Sequence, residues 1–419
     1  VHKSIQQYLS RYAEPTIPGA PAQHQWQRVL CIPCFNESSE FINTLPQTSD
    51  TLVILVVNHP ESHISESNRR FVEALRHSYI TLQLDHHNYL LTLEGHNRHA
   101  LVMDCSTKQK GFNPKHGVGL ARKLAADTAL NWHASGHITT DWIAMTDADA
   151  ILPACYFSAL TAIHPDTPAV VYPFRHDTPT NGIEQLATCL YELKLHHYVA
   201  GLIKAKSPYA HHSIGSCIAV RYRAYAQVRG MPKRAAGEDF YLLNKVRKLG
   251  HIQTLPPEAT IVLSSRRSAR TPFGTGQGVY KLSTSQDPLA QAIFYPSAVF
   301  ENLQKFIENT AAGAQTIEGL TEGLSQTASD ALKALQLEAA LDHCTTHGLT
   351  PEKFQRQLHQ WFDGFRTLKF IHHQAPPQKG LLSFNVWSEQ SNYAGLSPAE
   401  VNEQLSCLCY QNLRDDLED

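Results

Sequence analysis

The sequence predicts an α/β protein: a mixed, mainly parallel sheet flanked by helices over residues 28–285, then a mostly helical carboxyl-terminal region over 286–419. Three observations carry this. Short apolar runs alternate with helix-length segments between 28 and 285, the pattern of βα units. Beyond 285 the β-branched runs give way to long helical stretches. A length of 419 residues exceeds one ordinary hydrophobic core and calls for a second unit. Residues 1–27 read as an amino-terminal extension.

Taken in order, strands are expected at 29–32, 52–57, 100–103, 142–146, 169–172, 216–220 and 259–263. The unbroken run Leu52-Val53-Ile54-Leu55-Val56-Val57 suits a strand buried on both faces. Helices are expected at 117–132, 182–200, 223–228 and 238–249, the last ending at Gly250 as a helix should. Further on, Ser397-Pro398-Ala399-Glu400 has the form of a capping box, and Thr350-Pro351-Glu352 is a weaker start of the same kind. The small residues 310–314 suggest a linker, and no internal repeat is visible.

With 42% hydrophobic and 18% charged residues, the composition is that of an ordinary globular protein. A net charge of -2 leaves no electrostatic footprint for nucleic acid, which is not an expected partner. The run at 52–57 is far short of the roughly 20 residues that span a bilayer, so no transmembrane segment is expected. Val1 to Gln7 lack the apolar core of a signal peptide. A cytoplasmic location is expected, with peripheral attachment to the inner face of a membrane left open.

The nine cysteines are scattered and odd in number, which favours reduced thiols. Cys31 and Cys34 have redox spacing, but the first belongs to a strand and no second pair completes a zinc set. Cys407 and Cys409 read as packing. Of the 24 histidines, the adjacent pairs at 86–87, 196–197, 211–212 and 372–373 point different ways along a strand or helix and lack ligand spacing. His343 and His347 are four apart with no glutamate between. His211 and His212 directly precede the loop Ser213-Ile214-Gly215-Ser216.

Three groups carry chemistry. Asp147-Ala148-Asp149 stands just past the apolar run Trp142-Ile143-Ala144-Met145-Thr146. Carboxylates at the carboxyl edge of a parallel sheet can hold a divalent cation, and the cation a diphosphate. The same pair is also compatible with capping the turn at Ile151-Leu152-Pro153. Gly237-Glu238-Asp239 opens a helix, where a carboxylate can take the proton of a hydroxyl; the macrodipole alone also favours acids there. Ile32-Pro33-Cys34-Phe35-Asn36-Glu37 follows the first strand, with Phe35 able to pack on a base or in the core and Asn36 able to form an Asx turn.

In this order the three groups resemble the glycosyltransferases of the GT-A fold, a Rossmann-like architecture, most closely the family 2 type, over residues 28–285. The resemblance implies a metal-dependent, hexosyltransferase-type enzyme that moves a sugar from a nucleotide-sugar donor to a hydroxyl acceptor on a glycan, lipid or small molecule. It makes Asp147-Ala148-Asp149 the Asp-x-Asp motif, with Asp149 the direct ligand of Mg²⁺ or Mn²⁺ and Asp147 on the ribose or a metal-bound water. Asp239 becomes the base, with inversion, and Glu238 its neighbour in acceptor binding; retention stays open. Pro33, Phe35, Asn36 and Glu37 fall in the donor site. Arg122, in the stretch Gly117-Val118-Gly119-Leu120-Ala121-Arg122, would contact base or phosphates, or else solvent.

Three departures matter. Asn58-His59-Pro60-Glu61 replaces the acids that read the nucleobase, so the base stays open. The stretch from Asn58 to Lys115 is longer than the family needs, implying an insertion, with Asp104 a further donor-site candidate. The place of a third ligand, often His, holds Ser264 to Gly276 with three arginines, of which Arg267 and Arg270 are favoured over Arg266 for the diphosphate; a solvated basic loop is the alternative. Two other functions compete. A sugar nucleotidyltransferase would need a glycine-rich loop that Cys34-Phe35-Asn36-Glu37 does not supply. A non-catalytic nucleotide-sugar-binding protein on the same scaffold remains.

Overall fold

A computed structural model describes residues 2–61, 65–106, 111–266, 274–346, 350–376 and 380–411. The chain divides into two compact units, Val1–Asp177 with Ser213–Phe273, and Thr178–His212 with Gly274–Asp419.

The strands of the first unit are β1 (Arg28–Cys34), β2 (Thr51–Asn58), β3 (Ile80–Gln83), β4 (Asn88–Thr92), β5 (Arg98–Cys105), β6 (Trp142–Met145), β7 (Ala169–Val171), β8 (Phe174–His176), β9 (Ile218–Arg221), β10 (Ile252–Thr254) and β11 (Ile261–Leu263). Nine of these form one sheet in the order β10-β7-β9-β6-β1-β2-β5-β4-β3, while β8 pairs with β11. The strands β6, β1, β2 and β5 are mutually parallel. β9 runs against both neighbours, and β4 and β3 form an antiparallel edge. The expected class, a mainly parallel sheet flanked by helices with a helical carboxyl-terminal region, is the one observed.

Register places the loops. Cys34 pairs with Val57, and Val57 with Asp104, so β1, β2 and β5 end level and their following loops share one edge. β2 is buried at every position, as its unbroken apolar run requires. Pro33 is tolerated inside β1 for a traceable reason. The Thr146 amide donates to Cys31 O at 3.1 Å, so odd positions of β1 face β6, whose strand pairing has ended before Pro33. The missing N–H therefore costs no ladder bond on that side.

Helices α1 (Lys3–Arg11), α2 (Glu66–Ser78), α3 (Gly117–Ala134), α4 (Gly182–Lys204), α5 (Tyr222–Gln227) and α6 (Glu238–Val246) follow in chain order, α4 belonging to the second unit. α3 packs on β1, β2 and β6 and is buried nearly all round. Its Asp127 is fully buried and satisfied four times: by Tyr8 Oη at 2.6 Å, Tyr225 Oη at 2.9 Å, Lys123 Nζ at 2.9 Å and the Glu14 amide at 2.8 Å. That network binds α1, inside the stretch expected to be an extension, to α3. The stretch between β2 and β5 contains α2, β3 and β4; α2 starts at Ser65, whose hydroxyl accepts from the Asn68 amide at 3.1 Å.

In the second unit α4 packs with helices Thr275–Ser283, Ser297–Ala311 and Pro398–Gln411. The capping box is present: the Ser397 amide and hydroxyl both donate to Glu400 Oε2, at 2.8 and 2.7 Å. Residues 310–314 form the end of a helix where a linker is expected from the sequence, because Gly313 at φ 87 closes Ser297–Ala311, its amide donating to Thr310 O at 3.1 Å. Among the described residues no helix is long and apolar enough to cross a membrane.

Candidate active site at the carboxyl edge of the sheet

The loop after β1 is shaped by Asn36, which sits at φ 55. Its amide donates to Asn68 Oδ1 at 2.8 Å, its Oδ1 accepts from the Ser65 hydroxyl, and Asn68 Nδ2 donates to Asn58 O at 2.8 Å. Asn36 thus pins its loop to the start of α2, and Phe35 beside it is half-buried. Glu37, one residue on, turns its carboxylate to Arg266, whose Nη2 reaches Oε1 at 2.8 Å and Oε2 at 3.0 Å.

The loop after β6 is held by a two-way bridge: the Ile151 amide donates to Val262 O at 2.8 Å, and the Val262 amide to Ile151 O at 3.0 Å. Between Thr146 and this bridge the two aspartates reach arginines. Asp147 Oδ1 accepts from Arg122 Nη2 at 2.6 Å, and Asp149 Oδ2 faces Arg266 Nε at 2.7 Å. Arg266, the least favoured of the three arginines on sequence grounds, meets Glu37 and Asp149; Arg267 and Arg270 lie outside the described residues.

Arg122 joins this loop to the third motif, with Nε donating to Glu238 Oε1 at 3.0 Å. Its side chain is 4% exposed, and its Nη1 is buried without a hydrogen-bond partner among the described residues. At Gly215 a Cβ would lie 2.7 Å from Arg122 Nη2 and would push on the guanidinium. The glycines before Arg122 have a backbone cause too. A Cβ on Gly119 would stand 2.5 Å from Pro232 O, and the Gly119 amide donates to Arg234 O at 3.0 Å. α3 therefore packs directly on the segment leading into Gly237, whose φ of 74 starts α6.

The electrostatics are dominated by crowded carboxylates. Burial pushes Asp149 up to about 6, helped by the charge of Asp147 and opposed by Arg266. Asp239 is pushed up to about 7 by burial and then by Glu238, while its Oδ1 accepts from the Phe240 amide at 2.7 Å. Burial also raises Glu238 against the pull of Arg122, and Glu37 against that of Arg266. Glu37, Asp147, Asp149, Glu238 and Asp239 thus gather around Arg122 and Arg266. Among the described residues, five carboxylates face two guanidiniums, an excess of acidic groups. Oxygen-only ligands with this deficit fit a hard divalent cation such as Mg²⁺ or Mn²⁺.

Asp104 accepts from the Ser106 amide at 2.9 Å and the Ser106 hydroxyl at 2.5 Å, and Asn58 and His59 are buried. Cys31 and Cys34 are buried, and burial drives both thiols upward, away from redox reactivity. A cavity of about 460 Å³ lies at the opposite, amino-terminal ends of β1 and β6, beside Arg28, Asp141, Trp142 and Arg221, and holds none of the motif residues.

Fold and site together define an α/β protein with an acidic, arginine-bridged cluster at the carboxyl edge of its sheet. No protein-family model matches the chain, and no curated protein matches it in sequence. Among solved structures it is similar to S. aureus TarS 1–349 in complex with UDP-GlcNAc, at 12% identity and a TM-score of 0.39, over 80% of this chain and 91% of that one. It is also similar to the mannosyltransferase PcManGT from Pyrobaculum calidifontis in complex with GDP-Man and Mn²⁺, at 16% identity and a TM-score of 0.34, over 85% and 93%. Likenesses this distant carry no argument about activity, which rests on the residues themselves.

Proposed function

We propose that the chain is a metal-dependent glycosyltransferase of GT-A type, resembling family 2, that moves a sugar from a nucleotide-sugar donor to a hydroxyl acceptor with inversion. The observation that carries the reading is Arg122, which bonds Asp147 and Glu238 at once and so joins the Asp-x-Asp loop and the start of α6 in one cluster. Asp149, with Asp147, would hold Mg²⁺ or Mn²⁺. When bound, such a cation stabilises the charge that develops on a departing nucleoside diphosphate.

The chain's own residues have separable tasks in this reading. Asp239, pushed up to about 7 by burial and by Glu238, accepts in its ionised form the proton of the acceptor hydroxyl. Glu238 is a positioning residue: its bond to Arg122 fixes the first turn of α6 and hence the carboxylate beside it. Arg122 keeps one buried donor, Nη1, for an oxygen of the sugar nucleotide. Pro33 and Phe35 line the base side, and Asn36 and Glu37 shape that loop. Arg266 holds Glu37 and Asp149, and Arg267 and Arg270 are proposed for the diphosphate.

The test is release of nucleoside diphosphate from a panel of nucleotide sugars with and without Mn²⁺, the donor first being found by thermal shift. Asp149→Ala is expected to lose cation-dependent donor binding and turnover, whereas Asp239→Asn loses turnover and keeps donor binding. Normal donor binding by Asp149→Ala in Mn²⁺ would refute the metal assignment. Tight donor binding without turnover under any condition would make the chain a binding protein.

A further inference from the structure

Two imidazoles and a thiol converge inside the second unit from positions that sequence spacing keeps apart. His196 lies on α4, His212 follows a turn after it, and Cys409 comes from the helix Pro398–Gln411. All three are buried, and their ligand atoms lie within 4.8 Å of one another. His196 Nδ1 stands 3.2 Å from His212 Nε2, and Cys409 Sγ lies 3.4 Å from His196 O. Behind His196, Glu192 Oε1 is 3.8 Å from Nε2 and accepts from Asn402 Nδ2 at 2.8 Å. The Tyr410 ring stands edge-on to His196, with centroids 5.5 Å apart.

We propose that His196 Nδ1, His212 Nε2 and Cys409 Sγ bind a zinc ion that fastens the helix Pro398–Gln411 to α4. Tetrahedral zinc with bonds of about 2.0–2.1 Å to nitrogen sets two imidazole nitrogens roughly 3.3 Å apart, close to the separation already present. Glu192 stands where a carboxylate orients a ligating imidazole through its other ring nitrogen, and Asn402, on the same helix as Cys409, orients that carboxylate in turn. The thiolate and imidazole set selects a softer cation than the oxygen cluster of the first unit, so the two sites do not compete for one metal. A water molecule supplies the fourth position.

Coordination needs no oxidant or reductant. Burial, opposed by a hydrogen bond to the Ala200 backbone, pushes the Cys409 thiol up to about 12, so the metal-free chain carries S–H; on binding, the sulfur–zinc bond forms and that proton leaves to solvent. A metal ion joining residues this far apart contributes its binding energy to the folded state and therefore orders the last helix.

The full chain, produced with zinc in the medium, is expected to carry one zinc per molecule by elemental analysis. Replacement with Co²⁺ should give a sulfur-to-cobalt charge-transfer band in the near ultraviolet. Zinc should be lost in Cys409→Ser and His212→Ala, and kept in Cys407→Ser, an exposed neighbour, and in Asp149→Ala. Chelation should speed hydrogen exchange in Pro398–Gln411. The proposal fails if the wild type holds no stoichiometric zinc, if zinc persists in the doubly substituted His212→Ala, Cys409→Ser chain, or if the Co²⁺ form lacks the thiolate band. The last measurement needs no variant and decides the matter even if the substituted chains misfold.

Discussion

Arg266 Nε stands 2.7 Å from Asp149 Oδ2, and the same guanidinium grips both oxygens of Glu37. The chain thereby sets its own cation on the carboxylate proposed to hold a metal. Arg266 is 40% exposed and Asp149 29%, so the pair is open enough to exchange. Arg266→Gln should therefore tighten Mn²⁺ binding in the absence of donor by several-fold, read from the free-Mn²⁺ electron paramagnetic resonance signal. An unchanged affinity would mean that Arg266 and the cation do not compete for this carboxylate.

Arg122 neutralises two carboxylates from a side chain that is 4% exposed. Removing one partner of a buried pair costs about 3–5 kcal/mol, because the other charge is left without compensation. Arg122→Met should lower stability by that order in urea titrations, and adding Glu238→Gln should restore part of it. Simple additivity of the two substitutions would show that their energies are independent.

Stability and turnover should respond to pH in opposite directions. Asp149 at about 6 and Asp239 at about 7 both lie above the ordinary 3.8. Between these limits the folded chain binds more protons than the unfolded one, so stability from these groups is complete below about pH 4 and falls as pH rises toward 7. Turnover, needing ionised Asp239, should rise across the same window with a midpoint near pH 7. Urea titrations in metal-free buffer should show a shallower decline for Asp239→Asn than for the wild type; parallel curves would overturn the assignment.

Gly119 has no room for a side chain, since a Cβ would meet Pro232 O at 2.5 Å and Arg234 N at 2.6 Å. Both are backbone atoms and cannot rotate away. Gly119→Ala should cost about 1–3 kcal/mol, as overpacking does, and should lower kcat by displacing the approach to Asp239. Gly182→Ala, where nothing lies within 4 Å of the added carbon, serves as the control and should be neutral or slightly stabilising. Equal melting temperatures for the two variants would sink this reading of Gly119.

The elements that carry the site were legible because their signals are local. The apolar run of β2, the strand before Asp147 and the acidic opening of α6 each declare themselves within a few residues, and all three appear where expected. α1 was missed because its burial depends on Asp127, more than a hundred positions away. Asn36 was placed with the donor loop, yet its side chain is engaged by Ser65, 29 positions on and beyond any local pattern.

By itself, then, the sequence determined the class of fold, the sheet edge that carries the acids and the residues that compose the motifs, since hydrophobic periodicity and turn chemistry act over single turns and strands. Tertiary structure alone decided which side chains meet: Arg122 with Asp147 and Glu238 across 25 and 116 positions, Arg266 with Glu37 across 229, and His196 with His212 across 16. Such pairs arise from the packing of separately formed elements, and burial then raises the proton affinity of Glu37 and Glu238 and lowers that of His212.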